Sequence, residues 1–428
     1  MNSKKFDVII FGASGFVGKC AVLQALDVLK GFDWAIAGRS QHKLQLVLNE
    51  ISLKTGQNLT NIPIFLANAY DLDKLEDVVA KCKVLVNCCG PYQLWAENIL
   101  TTCIMQGTHY VDMSNDPYFN ELIELKYHEK ALVHKVFVIS SCGFHSFPME
   151  VALNYVREHF NGTVNSVDAF VRYNFGYYFY FPLHSIWSSA AWFSLLWSCA
   201  KVGELSLIRD ELRQEHMPNL WPRQAIEELS HRSKYQEEGI MVNFPFIDQQ
   251  SVERSQYFWY VHNRKRPIQF CKYIEFPSYF WAFLFIIWCL IICILAQFDK
   301  TRKIMNNYPK LFSIGLFSED GPNPYLLEMS SYKIKLQAKG WSGAMVYPKL
   351  DINDHFIVDR HMNIEISGEN PFYGCGCVCM LVSARTILEE PDKMPGRGGV
   401  YSPGYAFHNT SIIDKFQNFQ NYLRIRVL

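Results

Sequence analysis

The sequence lacks an excess of charge of either sign: Lys plus Arg number 41 and Asp plus Glu number 41, for a formal net charge of zero. It also lacks any long block of like charge, so no nucleic-acid partner is expected. Among 13 cysteines there is no C-x-x-C pair. The ligand spacing that zinc requires is therefore missing, and no metal site is expected. Cys375, Cys377 and Cys379 fall in a stretch, 373–388, with helical apolar spacing, where they read as small core residues. At Tyr118 no Tyr-x-x-x-Lys pair is evident, because Leu122 stands four residues on. No Ser-His-Asp arrangement for hydrolysis is evident. Met1 to Lys5 run straight into an apolar strand, so no signal or transit segment is expected. A reducing, cytosol-facing location with free thiols is expected.

What is present begins with a glycine-rich turn. The apolar run Phe6 to Phe11 leads into Gly12-Ala13-Ser14-Gly15-Phe16-Val17-Gly18, which reads as a strand, a phosphate-cradling turn and the first turn of a helix. One glycine permits the tight turn, another lets backbone approach a pyrophosphate, and the third lets helix pack close to strand. The helix N-terminus then offers unpaired N–H groups to the anion, and Ser14 adds a hydroxyl. About twenty residues further on, where such units read the adenine ribose, the strand Trp34-Ala35-Ile36-Ala37 ends in Gly38-Arg39-Ser40. An acid there would repel a 2′-phosphate. Arg39 and Ser40, with Lys43 one helical turn on, suit that phosphate instead, so NADP(H) is the expected cofactor.

Residues 6 to about 141 alternate short apolar strands (6–11, 34–37, 62–66, 84–88, 109–112, 136–140) with helical patterns (16–30, 41–55, 72–81, 95–106, 117–132). This is the signature of an α/β fold with a doubly wound parallel sheet. Ligands in such sheets lie beyond the carboxyl ends of the strands. Cys89, Gly90 and Pro91 should therefore border the nicotinamide ribose, and Asp71 is a candidate near the adenine unless it only caps the next helix. An NADP-binding Rossmann domain over 1–141 is expected, followed by an α+β second domain over 142–428. Strands are expected at 165–175, 330–340 and 361–368, and helices at 187–200 and 373–388; no structure is assigned to 202–267. A homodimer is one open use of the second domain.

Aromatic residues, 15% of the chain, gather after residue 170, as though something apolar were lined or covered there. A hydrophobic segment over 276–298 interrupts the second domain. From Pro277 to Gln297 no residue is charged, and at about 1.5 Å per residue that length suffices for a bilayer core of about 30 Å. Arg264, Lys265, Arg266 and Lys272 precede it and Lys300, Arg302 and Lys303 follow, so charge does not orient it. A single crossing would put strands of one domain on opposite sides of the membrane. The segment is expected to lie in one leaflet or on a lipid-droplet monolayer, as a hairpin or a flat helix; a buried helix in the core or at a dimer interface is the alternative.

Several of these stretches carry a resemblance. Phe11 to Phe16, Trp34 to Ser40, Asn87-Cys88-Cys89-Gly90-Pro91-Tyr92, Leu125 to Ala131, and Gly398 to Phe407 together resemble the saccharopine dehydrogenase-like oxidoreductases. That family is related to saccharopine reductases and to trans-acting enoyl reductases of complex-lipid synthesis. The resemblance runs over nearly the whole chain and implies association with membranes and lipid droplets on the cytosolic face. Three stretches depart from the family pattern, one being Ser185-Ile186-Trp187 where relatives show a Gly-Thr-Trp run. Met113-Ser114-Asn115-Asp116 stands where Ser-Gly-Glu usually follows the aspartate, and Gly143-Phe144-His145-Ser146-Phe147-Pro148 where relatives have Gly-Phe-Asp-Ser-Ile-Pro.

The expected function is NADP(H)-dependent oxidation or reduction of a lipid-like carbonyl or enoyl substrate. Saccharopine cleavage is not expected, because a polyacid would require clustered Arg or Lys where this chain has aromatics. Candidates for the proton donor are Asp112, Ser114, His145 and Ser146, which follow the fifth and sixth strands; His145 has the ordinary pKa for the task. The altered loops leave a non-catalytic NADP(H)-binding scaffold or sensor as the alternative.

Overall fold

A computed structural model describes residues 4–176, 184–225, 239–244, 248–343 and 358–428. Strands are numbered in chain order. The first sheet contains β1 (Phe6–Phe11), β2 (Trp34–Gly38), β3 (Ile64–Leu66), β4 (Cys82–Asn87), β5 (His109–Asp112) and β6 (Phe137–Ile139). A seventh strand comes from near the other end of the chain, Gly399–Tyr401, and lies parallel to β6. All pairings are parallel, and from one edge the order is Gly399–Tyr401, β6, β5, β4, β1, β2, β3.

Parallel sheets are covered on both faces, which explains the unbroken apolar runs. Val8 and Ile10 pack on one face with Ala21, Val22 and Ala25 of the helix Phe16–Val28. Ile9 and Phe11 pack on the other with Leu75, Ala96 and Ile99. Phe11 pairs with Ala37 on β2 and Asn87 on β4, so the strand ends level off at Gly12, Gly38 and Cys88.

The second sheet contains β7 (Thr163–Asn174), β9 (Ile240–Asn243), β10 (Gln269–Phe276), β12 (Ser331–Trp341), β13 (Arg360–Glu369) and β15 (Arg424–Val427). Its order is β15, β13, β12, β7, β10, β9, antiparallel except for β7 beside β10. Two-residue strands β8 (Trp187–Ser188) and β11 (Phe317–Ser318) pair with each other, and β14 is the strand Gly399–Tyr401 already placed. The boundary expected at residue 141 therefore does not close the first sheet. Its seventh strand follows the helix Gly376–Glu389, which packs along the helix Phe16–Val28 and against β4 and β5.

The unassigned stretch 202–267 holds the helices Val202–Leu212 and Asp248–Asn263 and the strand β9. The segment 276–298 is one unbroken helix, Tyr279–Ala296, not a hairpin. It stands between strands of one sheet: β7 and β10 precede it, and β12, hydrogen-bonded to β7, follows it. A single crossing would place those hydrogen-bonded neighbours on opposite sides of a bilayer.

Candidate functional site

The glycine turn is held by sterics as much as by sequence. Gly12 has φ +80°, and a Cβ there would meet Cys89 Sγ at 2.9 Å. At Gly18 a Cβ would lie 2.2 Å from Gly12 O and 2.5 Å from Ala13 Cα, which forces helix against strand. Gly15 is the N-cap of the helix Phe16–Val28 and supplies no side-chain cap. The first turn's N–H groups are thus left for an anion.

Beyond this turn a cavity of about 570 Å³ runs past Gly12, Ser14, Gly15, Gly38, Arg39, Ser40 and Lys43 to Asn68 and Trp95, and past Cys89 and Gly90 on the other side. Ser40 caps the helix Gln41–Thr55 by accepting from Lys43 N at 3.4 Å. Arg39 and Lys43 are exposed, and neither side chain has a hydrogen bond or ion pair among the described residues. Asp71 does not line the cavity. It caps the helix Leu72–Val79 and pairs with Lys74 at 3.0 Å, so Asn68 stands in the place expected of it. Pro91 is the N-cap of the helix Tyr92–Met105.

Sharing Gly15, Cys88 and Gly90 with the first, a second cavity of about 780 Å³ opens toward the second domain. Phe16 and Val17 line it, with Met113, Asn115, His145, Trp187, Ser188 and Tyr373. Of the four expected proton donors, His145 alone borders this space. Asp112 and Ser114 are fully buried. The Asp112 carboxylate accepts from Tyr110 Oη at 2.7 Å, Ser114 N at 2.9 Å and Ser141 N at 3.3 Å, and burial pushes its pKa up to about 6 despite these donors. It knots two loops together. Along the extended loop after β5, alternate residues face inward, so Met113 and Asn115 reach the cavity while Asp112 and Ser114 do not. Ser146 is buried, and its Oγ meets no partner among the described residues.

His145 stacks on Phe372 with ring centroids 5.2 Å apart. Burial, reinforced by Lys272, holds its pKa down to about 3. The ring is thus held neutral, below the ordinary imidazole range on which its candidacy as proton donor rested. Sequence reasoning missed Tyr373. Its ring packs edge-on to Phe16 at 4.7 Å, its oxygen accepts from Ser188 N at 3.2 Å, and burial raises its pKa so that the phenol stays protonated. The signal was hidden because Tyr373 sits just ahead of a core helix and reads as one more buried aromatic.

The second cavity's lining includes one lysine, Lys19, among the described residues, and that is paired with Glu50 at 2.7 Å. Beyond Trp187 and Phe372 the surroundings become apolar. Here the helix Ser189–Ala200 packs against the helix Tyr279–Ala296 through Trp192, Leu196, Cys199 and Ile292. The outer side of Tyr279–Ala296 is uncovered: Phe280, Phe283, Leu290, Ile291 and Ile294 are each about half exposed or more, and 17% of the helix is buried. The other long apolar helical stretch, Pro371–Glu389, is 89% buried and belongs to the core.

A glycine cradle without Cβ atoms, an uncapped helix N-terminus and unpaired cations beside the second strand define a dinucleotide-binding α/β protein with a second, mixed-sheet domain. Residues 8–139 match the saccharopine dehydrogenase NADP binding domain. Over 424 residues, 97% of each chain, the protein is 29% identical to a lipid droplet localized protein of Caenorhabditis elegans. It is 27% identical over 429 residues to the human saccharopine dehydrogenase-like oxidoreductase, covering 97% of this chain and 96% of that one. The saccharopine dehydrogenase (L-Glu forming) of Saccharomyces cerevisiae has the same fold, with a TM-score of 0.56 at 11% identity over 99% of this chain and 100% of that one. Residues 8–139 thus form a saccharopine dehydrogenase-type unit that binds NADP(H), and over nearly its whole length the chain is similar to proteins named saccharopine dehydrogenase-like oxidoreductases.

Proposed function

We propose that the protein uses NADP(H) to oxidise or reduce a lipid-like carbonyl or enoyl group at a lipid surface, with the helix Tyr279–Ala296 lying in one leaflet or in a droplet monolayer. The observation that carries this reading is the course of the cavities. The space beyond the glycine turn runs past Phe16 and Tyr373 to the aromatic wall of Trp187 and Phe372, and beyond that wall lies a helix with an uncovered apolar face. Leaving such a face in water is unfavourable, at roughly 25 cal/mol per Å² of apolar surface, so it calls for a lipid phase. A relative named for lipid droplets supports the same location.

The cofactor supplies the hydride chemistry. The chain's part is to hold the dinucleotide, keep water out and move one proton. Tyr373 is the residue suited to the proton: a protonated phenol in the cavity, with Ser188 fixing its oxygen. The lone paired lysine disfavours a polyacid such as saccharopine.

The test is turnover. Purified full-length protein loaded with NADPH and given vesicles of total cell lipid should oxidise the cofactor, and Tyr373→Phe should lower kcat at least tenfold while leaving the NADPH Kd unchanged. Binding of NADPH with no oxidation by any lipid class would replace this reading with that of a cofactor-bound scaffold.

A further inference from the structure

A third cavity, of about 730 Å³, lies beneath the helix Tyr279–Ala296, within the size range of small-molecule sites, about 300–1,000 Å³. Its roof is one stripe of that helix, Phe285, Trp288, Cys289, Ile292 and Cys293, at the three- and four-residue spacing of a single face. Its floor includes Leu195 and Cys199 of the helix Ser189–Ala200. From Phe285 to Cys293 the stripe rises about 12 Å. The helix is therefore apolar on both sides for different reasons: the outer side is uncovered, and the inner side covers a hollow.

Two observations say what the hollow takes. Charge is neutralised at its rim, where Arg172 Nε donates to Glu275 Oε2 at 2.6 Å, so neither a cation nor an anion is called for. In addition, Trp187, Leu195, Phe317 and Phe372 line both this cavity and the one beside the glycine turn. In that shared wall Trp187 stacks on Phe317 at 5.1 Å and lies 5.0 Å from Phe372.

We infer that this cavity seats the hydrocarbon tail of the lipid substrate, with its head end across the shared wall in the cavity beside the glycine turn. The inference rests on the lipid reading of the cleft and goes further, since it assigns the tail a site of its own. The helix Tyr279–Ala296 then does two jobs: it lies in lipid by its outer side and holds one lipid chain by its inner side.

Photolabelling tests this. Full-length protein is bound to phosphatidylcholine vesicles containing a trace of palmitate with a terminal diazirine, then irradiated, digested and mapped by mass spectrometry. Label is expected on Leu195 or Cys199, which the overlying helix screens from the bilayer. Filling the hollow with Cys289→Trp or, separately, Ile292→Phe should cut that label at least fivefold, with NADPH binding and vesicle binding retained as evidence of folding. Label confined to outer residues such as Phe283, Ile291 and Ile294 would overturn the inference, as would undiminished label at Leu195 and Cys199 in both filled variants. The outcome is separable from turnover. Label at the floor without NADPH oxidation keeps the tail site and removes the redox reading, whereas oxidation without such label does the reverse.

Discussion

A Cβ placed on Gly18 would lie 2.2 Å from the carbonyl oxygen of Gly12. The helix and the strand thus meet backbone to backbone at the point where the phosphates are held. Gly18→Ala must push the helix Phe16–Val28 away from β1, since the obstacle is main chain and cannot rotate aside. Overpacking of this kind costs about 1–3 kcal/mol, and it misaligns the N–H groups at the helix start. The expected result is a lower urea midpoint together with at least tenfold weaker NADPH binding by fluorescence titration. Gly203→Ala, in a helix where a Cβ meets nothing within 4 Å, is the control: it should leave NADPH binding unchanged and raise the midpoint slightly.

Arg39 stands at the end of β2 with no partner among the described residues, and Lys43 lies one turn along the next helix in the same condition. Their charges are therefore available to a 2′-phosphate. A hydrogen bond to a charged group contributes about 1.5–3 kcal/mol, which is roughly a ten- to hundredfold factor in Kd. Arg39→Ala should weaken NADPH by that factor and leave NADH within twofold, measured by isothermal titration. Equal losses for both cofactors would remove the phosphate assignment.

Arg254 and Glu124 form a buried ion pair, Nη2 to Oε2 at 2.6 Å, joining the helix Asp248–Asn263 to the helix Pro117–His134. Removing one partner of such a pair costs about 3–5 kcal/mol, because the other charge is left buried alone. Arg254→Met should therefore lower the unfolding midpoint sharply, and Arg254→Met with Glu124→Leu should recover most of the loss. The same helix shows why part of the fold was illegible. Its buried side includes Ser251, Arg254, Ser255 and Gln256, matched by Glu150, Glu124, Ser402 and Arg157 respectively. Reading apolar periodicity finds helices that bury hydrocarbon, and this one buries complementary polar groups contributed by distant parts of the chain. The strands of the first sheet were legible for the opposite reason: Val8 to Ile10 and Val84 to Val86 are buried apolar residues on both faces, so each run declares itself.

Asp112 is the remaining lesson of the site and yields a pH prediction. Glycine spacing and the basic residues after β2 could be read directly because local backbone and charge determine what they do. Which side of the loop after β5 faces the cavity depends on how that loop is knotted, and one residue of register exchanges Asp112 and Ser114 for Met113 and Asn115. The knot carries a cost. Burial raises the Asp112 pKa from its ordinary 3.8 to about 6, so the folded protein holds that proton more tightly than the unfolded chain. By linkage, this group's contribution to stability is most favourable below about pH 4, declines as pH rises to about 6, and is then constant. Two pKa units correspond to about 3 kcal/mol. Asp112→Asn keeps an acceptor oxygen for Ser114 N and turns an amide NH2 to Tyr110 Oη as donor, but it does not titrate, so the difference in unfolding free energy between wild type and variant should drift by about that amount in the variant's favour from pH 4 to pH 7. A difference that stays flat across the window would mean that Asp112 is ionised throughout and that the donors around it outweigh its burial. The variant should also retain NADPH oxidation if Asp112 is a knot, and lose it if the carboxylate is the acid that acts on substrate.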